Sequence, residues 1–321
     1  MLRSLFRLLS PAGAQARLSV LIFHRVLALP DPLFPDEVDA QQFDRICRWL
    51  QSWFSVLPLD EAVRRLKAGT LPSRALAITF DDGYADNHRV ALRILQRHRL
   101  CATFFIATGY LDGGRMWNDT VIESVRRTEA TSVALATLPC AGLDMLALGS
   151  IGERRLAIDA LIGAFKYEPP HVRVALTDRL TDLLGVTPPT DLMLTADEVR
   201  GLRRAGMQIG AHTVTHPILA NLDPSAAREE IGTSKRHLEE LLGEPVGLFA
   251  YPNGKLGQDF TSDSVAIARD LGFDAAVTTA WGAADRATDQ FQLPRFTPWD
   301  RAKYRFGARL ARNLLPKAEV V

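Results

Sequence analysis

Short apolar runs along the chain alternate with longer stretches in which apolar residues recur every three or four positions. Leu18–Phe23, Phe54–Leu57, Leu76–Phe80, Ala102–Ala107, Met207–Ala211, Val246–Ala250, Phe273–Thr278 and Phe291–Leu293 read as strands. The intervening stretches carry helix punctuation. Asp39 with Gln42 makes a capping-box-like start for a helix to about Leu50, and a helix is expected over Asp86–His98. Thr195 and Glu198 form a capping box for a helix to Arg204, after which Gly206 releases the chain. Asp223 followed by Pro224 is an N-cap with proline in the first helical position, starting a helix that Gly243 closes, and a further helix is expected near Ser262–Leu271. Repeated strand–helix units of this kind predict an α/β parallel barrel with its chemistry at the carboxyl ends of the strands.

The alternation fails over residues 113–194. Ile151–Phe165 and His171–Leu184 look helical, separated by the breaker Glu168-Pro169-Pro170, so this stretch is read as an inserted helical subdomain, either a structural cap or a lid. The barrel then occupies 18–112 and 195–300, and 301–321 is a basic amphipathic C-terminal helix. In that helix Phe306, Leu310 and Leu314 recur every four residues while Arg305, Arg309 and Arg312 share another face, a pattern that serves packing on the barrel or contact with an anionic membrane.

Two strand ends carry candidate chemistry. Leu76–Phe80 stops at Asp81-Asp82-Gly83, and Met207–Ala211 stops at His212-Thr-Val-Thr-His216. Adjacent residues on a strand point opposite ways, so one Asp can bind a cation while the other handles protons. Two histidines four apart plus one carboxylate make a three-ligand set that leaves positions open for water and substrate, the layout of a hydrolytic metal site. The 38 basic and 37 acidic residues, net +1, remove the main argument for a nucleic-acid partner. Cys47, Cys101 and Cys140 are widely separated and read as incidental thiols in a reducing compartment. The N-terminus is a poor signal peptide because Arg7 interrupts its apolar stretch, and no window reaches a membrane span, so the expected location is cytoplasmic, at most peripheral to the inner membrane.

Thr79-Phe-Asp-Asp-Gly83, His212-Thr-Val-Thr-His216 and a weaker Phe249-Ala-Tyr-Pro-Asn-Gly254 together resemble the polysaccharide deacetylases, the NodB-homology or family-4 carbohydrate esterases. The resemblance implies a distorted, incompletely closed (β/α)7 barrel. It also implies Asp81 as general base, and Asp82, His212 and His216 as ligands of a divalent metal, zinc first. The family's late L-x-H motif, source of its general acid, is missing: the region reads Gln292-Leu-Pro-Arg-Phe296 and no histidine follows His237. Val20-Leu-Ile-Phe-His-Arg-Val26 instead resembles a circularly permuted branch with that motif at the N-terminus, which makes His24 the candidate acid. The family's R-x-P-Y motif reads Ala250-Tyr-Pro-Asn253, so Arg295 is the candidate replacement for the guanidinium that steadies the base. Tyr251 and Pro252 would shape the turn from which the Asn253 backbone N–H serves an oxyanion. Trp117, in Met116-Trp-Asn-Asp119, is either a substrate-stacking residue or a core anchor. His88, His98, His171 and His237 lack partners at ligand spacing and are taken as structural or solvated.

The expected activity is metal-dependent removal of acetyl groups from N-acetylated sugars of a polysaccharide or its precursor. A small-molecule amidase on the same barrel and a non-catalytic glycan-binding module are the alternatives. A non-haem iron oxygenase site would use the same ligand types but is disfavoured by the strand–helix alternation.

Overall fold

The computed structural model describes residues 2–135, 138, 144–166 and 168–315; Cys140 and the end of the chain from residue 316 lie outside them. The chain divides into two compact units. The first comprises residues 1–29, 38–112 and 194–321, and the second 30–37 and 113–193.

The first unit is built on a curled, mostly parallel sheet. Its strands are β1 (Leu18–Phe23), β2 (Ser55–Val56), β3 (Ala75–Phe80) and β4 (Thr103–Ile106). After β5 (Ser132–Ala134) and β6 (Met145–Ala147), which belong to the second unit, come β7 (Gln208–Ala211), β8 (Leu248–Ala250) and β9 (Ala275–Val277). The order is β1-β3-β4-β7-β8-β9, all parallel, and β2 pairs with the amino end of β3 on the edge whose carboxyl end takes β4. Seven strands in an open curl agree with the expected (β/α)7 barrel. Between β9 and β1 the segment 284–296 makes isolated bridges, Val277 to Leu293, Leu21 to Phe296 and Leu18 to Ala284.

Phe291–Leu293, expected as a strand, is a turn with a single bridge at Leu293. The Asp289 carboxylate accepts from the Phe291 N–H at 3.0 Å, which curls the chain, and Pro294 has no N–H to continue a ladder. Helix caps follow the sequence more closely. Asp39 accepts from the Gln42 N–H at 2.8 Å, although the Gln42 side chain turns away to the Asp300 carbonyl instead of closing a box. Thr195 and Glu198 form the full capping box, and Asp223 accepts from Ser225 and Ala226 ahead of Pro224. The helix after the Asp pair opens as a π-turn over Asn87–Ala91 and becomes α only over Leu92–Arg97. A helix over Leu59–Ala68 goes unmarked in the sequence reading because no side-chain cap precedes it; Leu59, Ala62, Val63 and Leu66 bury its inner face.

Side chains of β3 alternate between two cores. Leu76, Ile78 and Phe80 join the larger cluster with Phe23 and Phe104, whereas Ala75 and Ala77 face the other with Leu18 and Val20. Phe80 stacks on Phe104 with centroids 4.7 Å apart and on Phe23 at 5.3 Å, which pins the end of β3 just before the acidic pair.

The C-terminal helix, Lys303–Asn313, uses its apolar face for packing. Phe306, Leu310 and Leu314 are buried, with Phe306 against Trp49 and Trp53, and at about 1.5–3 kcal/mol per fully buried large side chain this anchors the helix to the unit. No described helix is long and apolar enough to cross a membrane.

The second unit packs helices Trp117–Arg127, Ile151–Phe165 and Pro170–Leu184 around Val121, Val125, Ile158, Leu161, Phe165 and Leu180. It also contains the antiparallel pair β5–β6, so it is not purely helical. Residues 30–37 join it, not the barrel: Asp31 takes a two-pronged ion pair from Arg126, and the Leu33 carbonyl accepts from Arg155.

Candidate metal centre and active site

Parallel strands place their carboxyl ends side by side, and β1, β3, β7, β8 and β9 each deliver a group to one rim. Asp81 follows β3 on the face of Ala75, Ala77 and Thr79, where small side chains leave room for it. Arg295 enters that space from the segment after β9, 214 positions away in the chain, and grips Asp81 with both guanidinium prongs at 2.7 Å. Its Nε donates to the Thr278 carbonyl at 2.7 Å and its Nη1 also reaches Thr79 Oγ1 at 3.2 Å, so the fork is fixed on three sides. At 2 % exposure this is a buried ion pair. Burial works against the Asp81 charge, but the Arg295 guanidinium, with His212 behind it, outweighs burial and holds the carboxyl below the usual range.

Asp82 would point away from Asp81 on a regular strand. Its φ of 75° breaks the alternation and turns the carboxylate toward the same site. Asp82 Oδ1 lies 3.4 Å from Nε2 of His212 and 3.4 Å from Nε2 of His216. It is buried without a hydrogen-bond partner. His212 follows β7, and its Nδ1 pairs with the Ala250 carbonyl at the end of β8 at 2.7 Å. That bond makes Nδ1 the donor and turns Nε2 toward Asp82, the usual second support of a metal-binding imidazole.

One ligand atom from each of Asp82, His212 and His216 lies within 4.8 Å of the others, and this is the one such trio among the described residues. An orphaned buried carboxylate oxygen facing two imidazole nitrogens fits a divalent cation, which would satisfy all three atoms at once. Burial also disfavours charge on the two rings. For His212 the neighbouring Asp82 and Asp81 outweigh it and raise the ring, while His216 is pushed down to about 4. On Asp82 the three histidines outweigh burial and depress the carboxyl strongly.

The loop carrying the histidines is held in a costly backbone shape. Thr213 at φ 65° and His216 at φ 53° are left-handed, unusual for residues with a Cβ and most of all for β-branched Thr. Glu230 compensates: one oxygen accepts from the N–H groups of Val214 and Thr215 at 2.9 and 2.8 Å, and the other from Thr215 Oγ1 at 2.7 Å. Gly109 donates to the Val214 carbonyl at 2.9 Å, and a Cβ there would meet that oxygen at 2.8 Å, so only glycine fits.

His24 stands at the end of β1. Register pairs Phe23 with Phe80, and the Asp81 N–H donates to the Phe23 carbonyl at 2.9 Å, which brings His24 beside Asp81 across adjacent strand ends. Its ring is exposed, and its charge bears on Asp81, Asp82 and His216. Below it, Asn87 Nδ2 donates to the His24 carbonyl at 2.9 Å, and Asp86 accepts from the Val26 N–H and pairs with Arg25.

The Tyr251-Pro252-Asn253 turn follows β8. Tyr251 is fully buried, stacked on Phe260 at 4.0 Å, and so shapes the turn from below. Asn253 is exposed at φ 58°, its carbonyl accepts from Thr279 Oγ1 at 3.0 Å, and its N–H has no hydrogen-bond partner among the described residues.

The remaining candidates lie elsewhere. Trp117 belongs to the second unit, half-buried against its core with the Arg173 guanidinium 5.2 Å from the ring centroid. His98 pairs with Asp44 at 2.9 Å and His88 lies 3.8 Å from Glu198. Cys47 is buried and Cys101 half-buried, both thiols pushed up by burial, Cys101 to about 11. Sequence reasoning missed Thr79, the Ala250 carbonyl and Glu230. Thr79 had a signal, being two residues before Asp81 on the same face; the other two had none, since a backbone carbonyl and one Glu of a helix look ordinary in sequence.

The polysaccharide deacetylase family model matches residues 68–137 and 161–276, more than half of the chain. The chain belongs to the polysaccharide deacetylase family. As a member it is a hydrolase acting on carbon–nitrogen bonds other than peptides. YxkH of Bacillus subtilis (strain 168), named as a candidate polysaccharide deacetylase, is 21% identical over 282 residues, covering 87% of this chain and 71% of YxkH. The Streptococcus pyogenes deacetylase PplD, solved in complex with acetate, superposes with a TM-score of 0.61 at 20% identity, covering 94% of this chain and 99% of PplD. IcaB from Ammonifex degensii gives 0.58 at 18% identity, covering 96% of this chain and 99% of IcaB. Those superpositions establish the family's deacetylase barrel for this chain.

Proposed function

We propose that this polysaccharide deacetylase is a divalent-metal-dependent N-deacetylase acting on acetamido groups of an N-acetylated glycan or its precursor. The observation that carries the reading is the division of labour between two adjacent carboxylates: Asp81 is locked by Arg295, and Asp82 is left facing two imidazole nitrogens. Asp82, His212 and His216 would hold the ion, zinc being suited to this nitrogen and oxygen set. When bound, such an ion polarises the acetyl carbonyl and makes water more acidic.

The chain's own residues supply the rest. Asp81, kept ionised by Arg295, accepts the proton of the attacking water. Arg295 also orients both carboxylate oxygens, so the base needs little rearrangement. The unpaired Asn253 N–H donates to the oxyanion as it forms, using no side chain, so the loss of the family's arginine in this motif leaves that role intact. His24, exposed at the rim beside Asp81, donates a proton to the departing amine, which cannot leave as an anion. PplD, a deacetylase of this fold, is solved in complex with acetate, which supports acetyl as the group removed.

The test is metal analysis combined with acetate release from a panel of N-acetylated glycans. Asp82→Ala and His212→Ala should lose metal and activity together, whereas Asp81→Asn should keep metal and lose turnover. Metal loss in Asp81→Asn with retention in Asp82→Ala would exchange the two roles, and acetate release unaffected by chelation would remove the metal from the reading.

A further inference from the structure

Two helices on the outside of the barrel unit have no part in the chemistry described above. The helix Leu2–Leu9 lies beside Lys303–Asn313 on a shared aromatic floor, with Phe6 5.8 Å and Phe306 6.3 Å from the Trp53 ring. The two run parallel. Leu2 packs on Gly307, where a Cβ would meet the leucine Cδ1 at 2.9 Å. At the other end Arg17 donates to the Leu314 and Leu315 carbonyls, and Leu8 and Leu315 line one cleft whose charged lining is Arg17, Arg286 and Asp285. Packing against the unit occupies the apolar faces of both helices, since Phe6, Phe306, Leu310 and Leu314 are buried.

The faces left outward are apolar along the middle and basic along the edges. Of the seven large apolar side chains exposed among the described residues of the barrel unit, five belong to these helices or their flanks: Leu5, Leu8 at 78%, Trp299 at 71%, Tyr304 at 75% and Leu315. By helical spacing, Tyr304, Ala308 and Leu315 share the outermost face of the second helix, and Leu5 and Leu8 the flank of the first that is turned toward it. Arg3 and Arg7 lie on the far flank of the first helix, and Arg305, Arg309 and Arg312 on the far flank of the second. The apolar ridge is thus bordered by a basic row on each side. Residues 2–17 and 299–315 hold eight basic side chains and one acidic, a net of +7 in a chain whose total is +1, so all other positions sum to −6. The one acid, Asp300, is shared by Arg305 and Arg309, which leaves the positive surplus in place. Burial, with the charges of Arg3 and Arg7 beside it, lowers the Arg74 guanidinium, so like charges press on one another here. Such crowding is unfavourable to the fold, and an anionic surface relieves it.

We propose that the outer faces of Leu2–Leu9 and of residues 299–315 form a docking surface for an anionic lipid bilayer. Lipid headgroups place phosphate charge over an apolar layer, and the protein offers the matching pair: arginines at the edges for the phosphates, and Leu5, Leu8 and Leu315 between them for the acyl boundary. Trp299 and Tyr304 are the residue types that settle at headgroup depth. A soluble polyanion would answer the arginines but has no use for exposed leucines on a ridge, which is why the charge and the apolar surface together favour lipid.

The experiment is co-sedimentation of the full chain with vesicles of phosphatidylcholine alone and of phosphatidylcholine with about 30% phosphatidylglycerol, in about 0.1 M salt. The chain should bind the anionic vesicles about tenfold or more tightly than the neutral ones, and lose most of that preference in about 0.5 M salt. Arg3→Gln with Arg7→Gln should weaken binding about 25-fold, at roughly fivefold per charge, and Leu8→Ser about tenfold, both with Tm and activity on a soluble sugar unchanged. Arg204→Gln with Arg236→Gln removes the same charge from the helices Ala196–Arg204 and Pro224–Leu242 and should change binding by no more than about twofold. Asp81→Asn should bind vesicles as the wild type does, so the surface stands or falls apart from the deacetylase reading. Equal affinity for both vesicle types, binding to neither, or equal losses in the two double variants would overturn it. Binding that Leu8→Ser leaves intact, matched by equal retention on heparin, would assign the basic rows to a polyanion and overturn the lipid surface as well.

Discussion

The two units each contain a two-pronged arginine–aspartate pair, built from the same groups at nearly the same distances. In the barrel unit Arg295 meets Asp81 at 2.7 and 2.7 Å; in the second unit Arg126 meets Asp31 at 2.9 and 2.6 Å. The surroundings separate them. Arg295 is sealed from solvent with its other donors spent on Thr278 and Thr79, while Arg126 is about one-third exposed and shares itself with Glu123. In a sealed setting the fork fixes the protonation state and direction of a carboxylate that faces a reaction site. At a partly wet surface the same fork fastens a short segment, residues 30–37, onto a helix.

The comparison breaks most visibly at Arg295. Arg295→Ala leaves a buried carboxylate unpaired and should cost about 3–5 kcal/mol in urea unfolding, along with most of the turnover. Arg295→Lys keeps the charge but not the fork, so turnover should fall more steeply than stability. A stability loss below about 1 kcal/mol for Arg295→Ala would place this pair in the same class as that of Arg126.

His24 sharpens the contrast from the other side, because it is exposed and holds little of the fold. His24→Asn should leave Tm and metal content unchanged, yet lower kcat on an amide by about 10²–10⁴. The loss should be smaller on an O-acetyl ester, whose alkoxide departs more readily. Near-normal amide turnover in that variant would take His24 out of the mechanism.

A pH dependence follows from the depressed Asp81 carboxyl. Its folded pKa lies below the unfolded value of about 3.9, so the unfolded chain binds the proton first as pH falls. The Asp81 contribution is therefore present above about pH 4 and lost as pH drops through the folded value. Urea titrations of wild type and Asp81→Asn should differ in slope below pH 4 and run parallel above it; parallel curves throughout would mean that Asp81 has the same pKa folded and unfolded.

The smallest effect belongs to the second unit. Arg126→Ala should cost at most about 1 kcal/mol in stability, an effect that salt weakens, with kcat on a monomeric N-acetyl sugar unchanged. A loss as large as that of Arg295→Ala would erase the distinction.

Much of the site was legible before any coordinates. The acidic pair and both histidines stand out by residue type at a strand end, and strand ends are found from short-range apolar periodicity, whereas His24 and Arg295 become candidates only through the motifs that the family resemblance leaves missing. The helix caps at Asp39, Thr195 and Asp223 read correctly for the same reason, since a cap needs only its next three residues. Phe291–Leu293 misread because periodicity over three residues cannot outweigh Asp289 and Pro294.

Taken alone, the amino-acid order determined the strand–helix plan and the residue types standing at the strand ends, because each rests on neighbours within one or two turns of chain, and the pairing of two such motifs in chain order pointed to the family. Only the tertiary structure decided which groups meet. It closed the Arg295–Asp81 fork across 214 positions and set the Ala250 carbonyl against His212. It turned Asp82 by a left-handed φ toward the histidines and spent the apolar face of the C-terminal helix on Trp49 and Trp53. Those outcomes depend on the order and curl of the sheet, which bring together carboxyl ends that are far apart in sequence, and on a backbone strain that only the surrounding hydrogen bonds can hold.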